Sequence, residues 1–160
     1  MPEITLRPAT HDDVDAVASV WHRGWADGHA GHVPPGLHAH RTLDHFLALV
    51  PSRIATTTVA ISDRSVVGFV TVHAEEVEQV YVDASARGTR TATALLDRGE
   101  ELIGQTYDRA WLAVVAGNER ARRFYERRGW VDAGAFDYSA ETAAGPFTVP
   151  ALRYEKDLRG

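Results

Sequence analysis

A stretch rich in β-branched residues, from position 54 to position 83, constrains the fold of this chain more than any other segment. Its residues alternate in the way that half-buried strands do, and short polar breaks interrupt it at 62–64 and near Glu75. Breaks of this length connect neighbouring antiparallel strands. We therefore expect three consecutive antiparallel strands, over about 54–61, 66–73 and 77–83.

Helical and strand periodicities flank this segment on both sides. Before it, we predict a strand over 3–8, a helix beginning near Thr10 and a second helix over about 37–49 that ends before Pro51. After it, we predict a helix over 90–105, a strand over 109–117, a helix over 118–129, and two closing strands, 130–138 and 148–158, joined by a loop of about ten residues. The order βααβββαβαββ indicates the α/β (α+β) class, with a mixed, mainly antiparallel sheet of about seven strands and about four helices on its faces.

The composition excludes several classes of protein. The length of 160 residues is typical of one domain, so we expect a single domain over 1–160. The absence of cysteine excludes a disulfide scaffold, a thiolate metal site and a cysteine nucleophile. The formal net charge of −5 is spread along the chain, so we expect no nucleic-acid partner. No apolar run approaches the roughly 20 residues that span a bilayer, and the start lacks a signal-peptide pattern, which predicts a cytoplasmic protein without a membrane partner.

The turn between the third of these strands and the next helix, within "VYVDASARGTRTATALL" (80–96), is crowded with small, hydroxylated and basic residues. A helix N-terminus after such a turn offers unpaired backbone N–H groups and a positive partial charge, which suit a phosphate group. Gly88 permits close approach of the backbone, while Arg87, Thr89, Arg90 and Thr91 supply donors around it. The same residues are also compatible with a solvated helix start, and the turn alone leaves both interpretations open.

A second stretch, "AVVAGNERARRFYERRGW" (113–130), places Asn118 at a helix start and Tyr125 beside its packing face. Together the two stretches resemble the GNAT superfamily of N-acetyltransferases, which transfer acetyl from acetyl-coenzyme A (acetyl-CoA) to an amine. The first aligns by position with the family pattern Q/R-x-x-G-x-G/A at 87–92, with one departure at Arg90, and the second resembles N-x-x-A-x-x-F-Y-x-x-x-G-W/F at 118–130. The resemblance covers most of the chain, because the order of strands and helices also fits the family fold.

The resemblance implies that acetyl-CoA, or coenzyme A (CoA), binds at the turn. Its pyrophosphate would lie on the amides of residues 88–92, and its pantetheine arm would follow the end of the preceding strand. The implied cofactor-binding residues are Val80, Val82, Arg87, Gly88, Thr89, Arg90, Thr91, Ala92 and Asn118.

Arg90 departs from the family pattern, because it stands where the first glycine of G-x-G/A is usual. An ordinary helical backbone there would tolerate the arginine and let its side chain contact phosphate, whereas a backbone that needs a glycine would impair cofactor binding. The alternative to an acetyltransferase is therefore a catalytically degenerate CoA-binding module with the same fold.

Amine acetylation calls for a proton acceptor and a proton donor. An alkyl ammonium with a pKa near 10.4 is about one part in a thousand neutral at pH 7.4, so a carboxylate that takes its proton favours reaction. Glu78 is the preferred base and Glu76 the second, although carboxylates at a hairpin are often only solvated. The resemblance favours the Tyr125 hydroxyl as the acid for the departing thiolate, and the alternative is a core tyrosine with its hydroxyl at the surface.

The resemblance places the amine acceptor, a small molecule or a peptide, between the first two helices and the sheet. The segment "WHRGWADGHAGHVPPGLHAH" (21–40) supplies Trp25, His29 and His32 as candidate substrate-binding residues. The histidine spacings could also suit a metal, but they match no known ligand pattern, so we predict no metal site. The sequence shows no self-complementary patch, so it does not decide whether the chain forms a homodimer.

Overall fold

The computed structural model describes residues 3–29, 31–142 and 144–159, and its centre is one seven-stranded sheet in the order β1-β2-β3-β4-β5-β7-β6. The strands are β1 (Thr5–Pro8), β2 (Thr57–Ser62), β3 (Ser65–His73), β4 (Glu76–Val82), β5 (Arg109–Val114), β6 (Val131–Thr142) and β7 (Gly145–Asp157). Neighbouring strands are antiparallel, except that β4 and β5 are parallel. The predicted class and the mainly antiparallel sheet are confirmed.

Helices cover both faces of the sheet. They are α1 (Val14–His29), α2 (Pro35–His38), α3 (Leu43–Leu49), α4 (Thr91–Gly104) and α5 (Glu119–Arg127). On one face, Trp21 of α1, Phe46 of α3 and Phe69 of β3 form one buried cluster. On the other, Leu95 of α4 and Trp130, just after α5, belong to a second. None of the helices in the described ranges has the length and hydrophobicity to cross a membrane.

The single helix predicted over 37–49 is wrong, because the chain forms two helices there. Pro35 occupies the first turn of α2, where its missing N–H costs no hydrogen bond. After a short break, the Thr42 hydroxyl accepts a hydrogen bond from the His45 amide at 3.2 Å and so caps the start of α3. The described part of the chain therefore has five α-helices rather than four.

The predicted loop of about ten residues between the last two strands is also wrong. Pairing of β6 with β7 continues to Thr142 and Gly145, so the strands are joined by a tight turn. The reason is tertiary: Ala140 and Val149 are buried in the core on the α1 side, which favours extension of the hairpin beyond the segment that alternation marked.

The parallel pair in the middle of the sheet positions the candidate site. β4 and β5 pair in register only at Glu76 and Trp111, beside a hydrogen bond from the Trp111 amide to the Glu75 carbonyl at 3.0 Å. Beyond that point the strands separate. The sheet is therefore open between the remaining parts of β4 and β5, and the edges of both strands face a cleft.

Candidate active site

The cleft between β4 and β5 has a volume of about 300 Å³. Residues 77–82 of β4 and 112–114 of β5 form its floor. Gly88 from the turn before α4, Asn118 at the N-cap of α5 and Tyr125 of α5 are among the residues of its walls. The two motifs that are far apart in sequence therefore line one groove.

Backbone groups of Val80 and Val82 face this groove. The Asp83 amide donates to the Val67 carbonyl in β3 at 2.7 Å, so the Asp83 N–H points towards β3. Backbone direction alternates along a strand, and the N–H and C=O groups of Val82 and Val80 consequently point to the opposite edge, where β5 has separated. An extended ligand arm can form strand-like hydrogen bonds there.

The turn before α4 presents its backbone openly at Gly88. Gly88 has φ of +77°, which disfavours other residues, and no atom lies within 4 Å of the position a Cβ would take. Arg90 has φ of −83° and ψ of 7°, values that an arginine adopts without strain. The glycine that the family pattern has at this position is therefore not required by the backbone here.

Hydroxyl groups stiffen the turn. The Thr89 hydroxyl donates to the Ala86 carbonyl at 2.5 Å and accepts a hydrogen bond from the Thr91 amide at 3.3 Å. Thr91 is fully buried, and its hydroxyl lies 2.8 Å from that of Thr89. These two threonines therefore support the turn from within, whereas Arg90 is exposed to solvent.

Arg87 links the turn to α1 through an ion pair with Asp27, whose Oδ2 lies 2.5 Å from Arg87 Nη2. A second link joins Arg23 to Asp83, with an Nε–Oδ1 distance of 3.0 Å. Both arginines and Asp27 are substantially exposed, so each pair contributes little to stability. Arg87 is thus available to exchange Asp27 for an anionic ligand.

Tyr125 lies on the α5 wall of the groove with 9% of its surface exposed. It packs against Trp130 and Tyr154 in edge-to-face contacts, with ring centroids 6.3 Å apart in both cases. Burial raises the pKa of Tyr125 above its ordinary value, so the hydroxyl stays protonated at neutral pH. On the same wall, the Asn118 Oδ1 caps α5 by accepting from the Ala121 amide at 3.3 Å.

Glu78 forms an ion pair with Arg53, which lies just before β2. The same guanidinium donates to Glu141 Oε2 at 2.6 Å and lies 5.9 Å from the Trp21 ring centroid. Only 15% of the Glu78 side chain and 16% of the Arg53 side chain are exposed. The Glu78 carboxylate is therefore held in a defined orientation rather than solvated at a hairpin tip.

Glu76 is buried, and it accepts a hydrogen bond from the Tyr138 hydroxyl at 2.7 Å. Burial raises the pKa of Glu76, although the Tyr138 hydrogen bond opposes the shift. Burial and the neighbouring Glu76 carboxylate also raise the pKa of Tyr138. Glu76 is absent from the described lining of the cleft. Its hydrogen-bond partner Tyr138 lines a second, neighbouring cavity, so Glu76 is linked to that cavity through the Tyr138 hydroxyl.

A second cavity, of about 80 Å³, lies on the α1 side of the sheet. It shares four wall residues with the cleft, namely Glu78, Gln79, Ala113 and Val114. Trp25, Arg41 and Tyr138 are among the residues that complete its wall. Glu78 is the one titratable residue common to the described linings of the cleft and the cavity.

The predicted acceptor residues have different outcomes. Trp25 lines the second cavity. His32 is exposed and packs against Gly117, where an added Cβ would lie 2.3 Å from the His32 Nδ1. The His29 side chain lies outside the described part of the structure. Within that part, no group of three or more His, Cys, Asp or Glu residues has a metal-binding arrangement.

Three residues of the site were not predicted from the sequence: Arg41, Arg53 and Tyr138. Arg53 is 25 positions from Glu78, and Tyr138 is 62 positions from Glu76. No local pattern marks any of them. The available signal was chemical, because a carboxylate removed from water requires a partner and the sequence offers arginines outside the two motifs.

A model of the Acetyltransferase (GNAT) family matches residues 22–130. An N-acetyltransferase from Staphylococcus aureus Mu50 has the same fold, with 22% identity, a TM-score of 0.72 and coverage of 98% of this chain and 99% of that one. PaiA N-acetyltransferase from Thermoplasma acidophilum, solved with coenzyme A, is 16% identical, with a TM-score of 0.69 and coverage of 97% and 99%. YncA from Salmonella typhimurium, solved with acetyl-CoA, is 16% identical, with a TM-score of 0.73 and coverage of 98% and 94%. No curated protein sequence matches the chain.

Proposed function

Because this chain belongs to the GNAT acetyltransferase family, we propose that it transfers the acetyl group of acetyl-CoA directly to a primary amine of a small molecule or peptide. Acetyl-CoA is the acetyl donor of the family. The observation that carries the proposal is the position of Glu78, a carboxylate at the junction of a long cleft and a smaller cavity. A donor in the cleft and an amine in the cavity would meet beside it.

The residues of the cleft fit this cofactor. Gly88 leaves open space beside the backbone at the N-terminus of α4, where a pyrophosphate can approach the amides. The backbone groups of Val80 and Val82 face the groove and suit the amides of a pantetheine arm. We assign the pyrophosphate to residues 88–92, with Arg87 and Arg90 as charged contacts and Asn118 on the opposite wall. When bound, acetyl-CoA supplies a thioester carbonyl to which the amine forms a C–N bond as the C–S bond breaks and the thiol leaves.

Glu78 is assigned as the general base. Bringing an alkyl ammonium to its neutral form at pH 7.4 costs about 4 kcal/mol, and a carboxylate that takes the proton, directly or through one water, lowers this cost in the transition state. The pairing with Arg53 keeps the carboxylate oriented towards the shared wall. Glu76 remains the second candidate, since it could receive a proton only through the Tyr138 hydroxyl.

Tyr125 is assigned as the general acid. Its hydroxyl makes no hydrogen bond to any side chain in the described ranges, and its raised pKa keeps the proton on the oxygen at neutral pH. From the α5 wall the hydroxyl can donate that proton to a leaving sulfur. No covalent acyl-enzyme is needed, in agreement with a chain that has no cysteine.

The alternative, a degenerate CoA-binding module with the same fold, would have lost catalysis through the change at Arg90 and through an unsupported base. The unstrained backbone and exposed side chain of Arg90, together with the ion pair that holds Glu78, support the acetyltransferase over this alternative. Calorimetric titration with acetyl-CoA and CoA tests the first half of the proposal, and thiol release across a set of amines tests the second. We expect binding of both and turnover with at least one amine. Binding without turnover across the set would instead favour the degenerate module.

A further inference from the structure

Arg41 is a half-buried cation in the wall of the second cavity, and none of the described carboxylates forms an ion pair with it. Arg53, close by on the same side of the sheet, differs in this respect, because it has two carboxylate partners, Glu78 and Glu141. The cavity wall therefore contains a guanidinium with no described carboxylate at ion-pair distance, whereas the neighbouring guanidinium of Arg53 is compensated.

The contacts of Arg41 use only part of its hydrogen-bonding capacity. Its Nη1 donates to the Glu141 carbonyl at 2.9 Å and contacts His45 Nε2 at 2.5 Å. Burial and the adjacent Arg41 lower the pKa of His45, so this imidazole is neutral and offers no compensating charge. The Arg41 Nε is buried and has no hydrogen-bond partner among the described residues.

A guanidinium removed from water is costly unless an anion and hydrogen-bond acceptors replace the lost hydration. Burial lowers the pKa of Arg41, but an arginine stays charged at neutral pH. Much of the remaining wall is apolar, with Trp25, Leu37 and Val149 among its residues. A bound molecule with a carboxylate would supply the missing partner, since guanidinium and carboxylate match in geometry.

Resting on the proposed function, we infer that the acceptor is a small amine that also carries a carboxylate, of the amino-acid class. Its carboxylate binds Arg41, and its amine faces Glu78, a carboxylate in the wall of the same cavity. Arg41 is then a specificity-determining residue: it selects the acceptor and takes no part in proton transfer.

The test compares acceptors that differ only in the carboxylate. Glycine, alanine, leucine and phenylalanine are assayed for CoA thiol release beside methylamine, ethylamine, 3-methylbutylamine and 2-phenylethylamine, at equal concentrations of neutral amine. We expect kcat/KM to favour at least one amino acid over its matched amine by about 10- to 100-fold, the contribution of a charge-assisted hydrogen bond. Arg41→Gln should abolish this preference.

Arg128→Gln is the matched control. Arg128 also has a buried Nε without a partner among the described residues, but it lies outside the described lining of the cavity and pairs with Asp97 at 3.3 Å. This variant should keep the native preference. Calorimetry with CoA checks that every variant still binds the cofactor. As a readout that needs no variant, N-acetyl amino acids should bind the native CoA complex more tightly than the N-acetyl derivatives of the matched amines.

Each outcome decides a different point. Equal rates for amino acids and matched amines, with no effect of Arg41→Gln, would overturn the inference and leave the acetyltransferase proposal standing. Cofactor binding without transfer to any amine would overturn both. A carboxylate preference that survives in Arg41→Gln would show that another group selects the acceptor, and the inference would be wrong.

Discussion

Arg53 forms an ion pair with Glu78, a residue of the wall that the cleft and the second cavity share. The pair is mostly buried, and Arg53 is also anchored by Glu141 at 2.6 Å. Glu78 therefore has its position set by two other elements of the fold. This arrangement distinguishes Glu78 from Glu76, whose carboxylate accepts a hydrogen bond from the Tyr138 hydroxyl.

Glu78→Gln should lower kcat/KM by about 10²- to 10³-fold, within the usual contribution of a general base, while the Kd for CoA stays within twofold. The loss should shrink as the pH approaches the amine pKa near 10.4, because the neutral amine then forms without a base. Glu141→Gln, which removes the other partner of Arg53, is the control and should retain most activity. A loss in Glu78→Gln that is the same at every pH would contradict the base assignment.

Tyr125→Phe should reduce kcat by about 10- to 100-fold with little change in CoA affinity, because the ring packing is kept and only the proton donor is lost. Since burial raises the pKa of Tyr125, the native enzyme should keep this donor protonated up to the ordinary tyrosine value near 10. The pH profile of kcat should therefore show no decline below pH 10 from this group. Tyr107→Phe, at a partly buried tyrosine away from the cleft, is the matched control, and an equal loss there would count against a specific role.

Glu76→Gln should raise the thermal midpoint at neutral pH relative to the native chain. The folded state raises the pKa of Glu76, so its favourable contribution is present below the unfolded pKa and is lost as the pH rises through the folded value. Glutamine can still accept the Tyr138 hydrogen bond without becoming charged. The difference in midpoint should vanish near pH 4. A less stable variant at neutral pH would show that the ionised carboxylate is favoured in the folded protein.

Two substitutions in the turn separate backbone from side-chain effects. Gly88→Ala should destabilise the fold by about 1–2 kcal/mol, because alanine at φ of +77° is strained, and it should weaken CoA binding. Arg90→Gly should leave the fold intact and should keep or weaken CoA binding, since it removes a positive charge without relieving strain. Calorimetry and thermal unfolding measure both effects. Tighter CoA binding by Arg90→Gly would show that the arginine obstructs the site.

Local chemistry allowed much of the fold to be predicted. Alternation and short polar breaks located β2, β3 and β4 to within about three residues, and helical spacing after the turn located α4. The errors occurred where a distant contact decides the local structure. The β6–β7 hairpin is longer than alternation indicated because Ala140 and Val149 reach a core that the hairpin sequence does not reveal.

The sequence by itself determined the family motifs, the strand-turn-helix at 80–96 and the residue types able to hold a phosphate or move a proton. Only the tertiary structure decided which charges pair: Arg53 with Glu78 and Glu141, 25 and 88 positions away, and Arg41 with no carboxylate in the described ranges. The physical reason is the distance along the chain over which each effect acts. Backbone preferences act over a few neighbouring residues, whereas the partner of a buried charge depends on sheet register and helix packing, which bring distant segments to one wall.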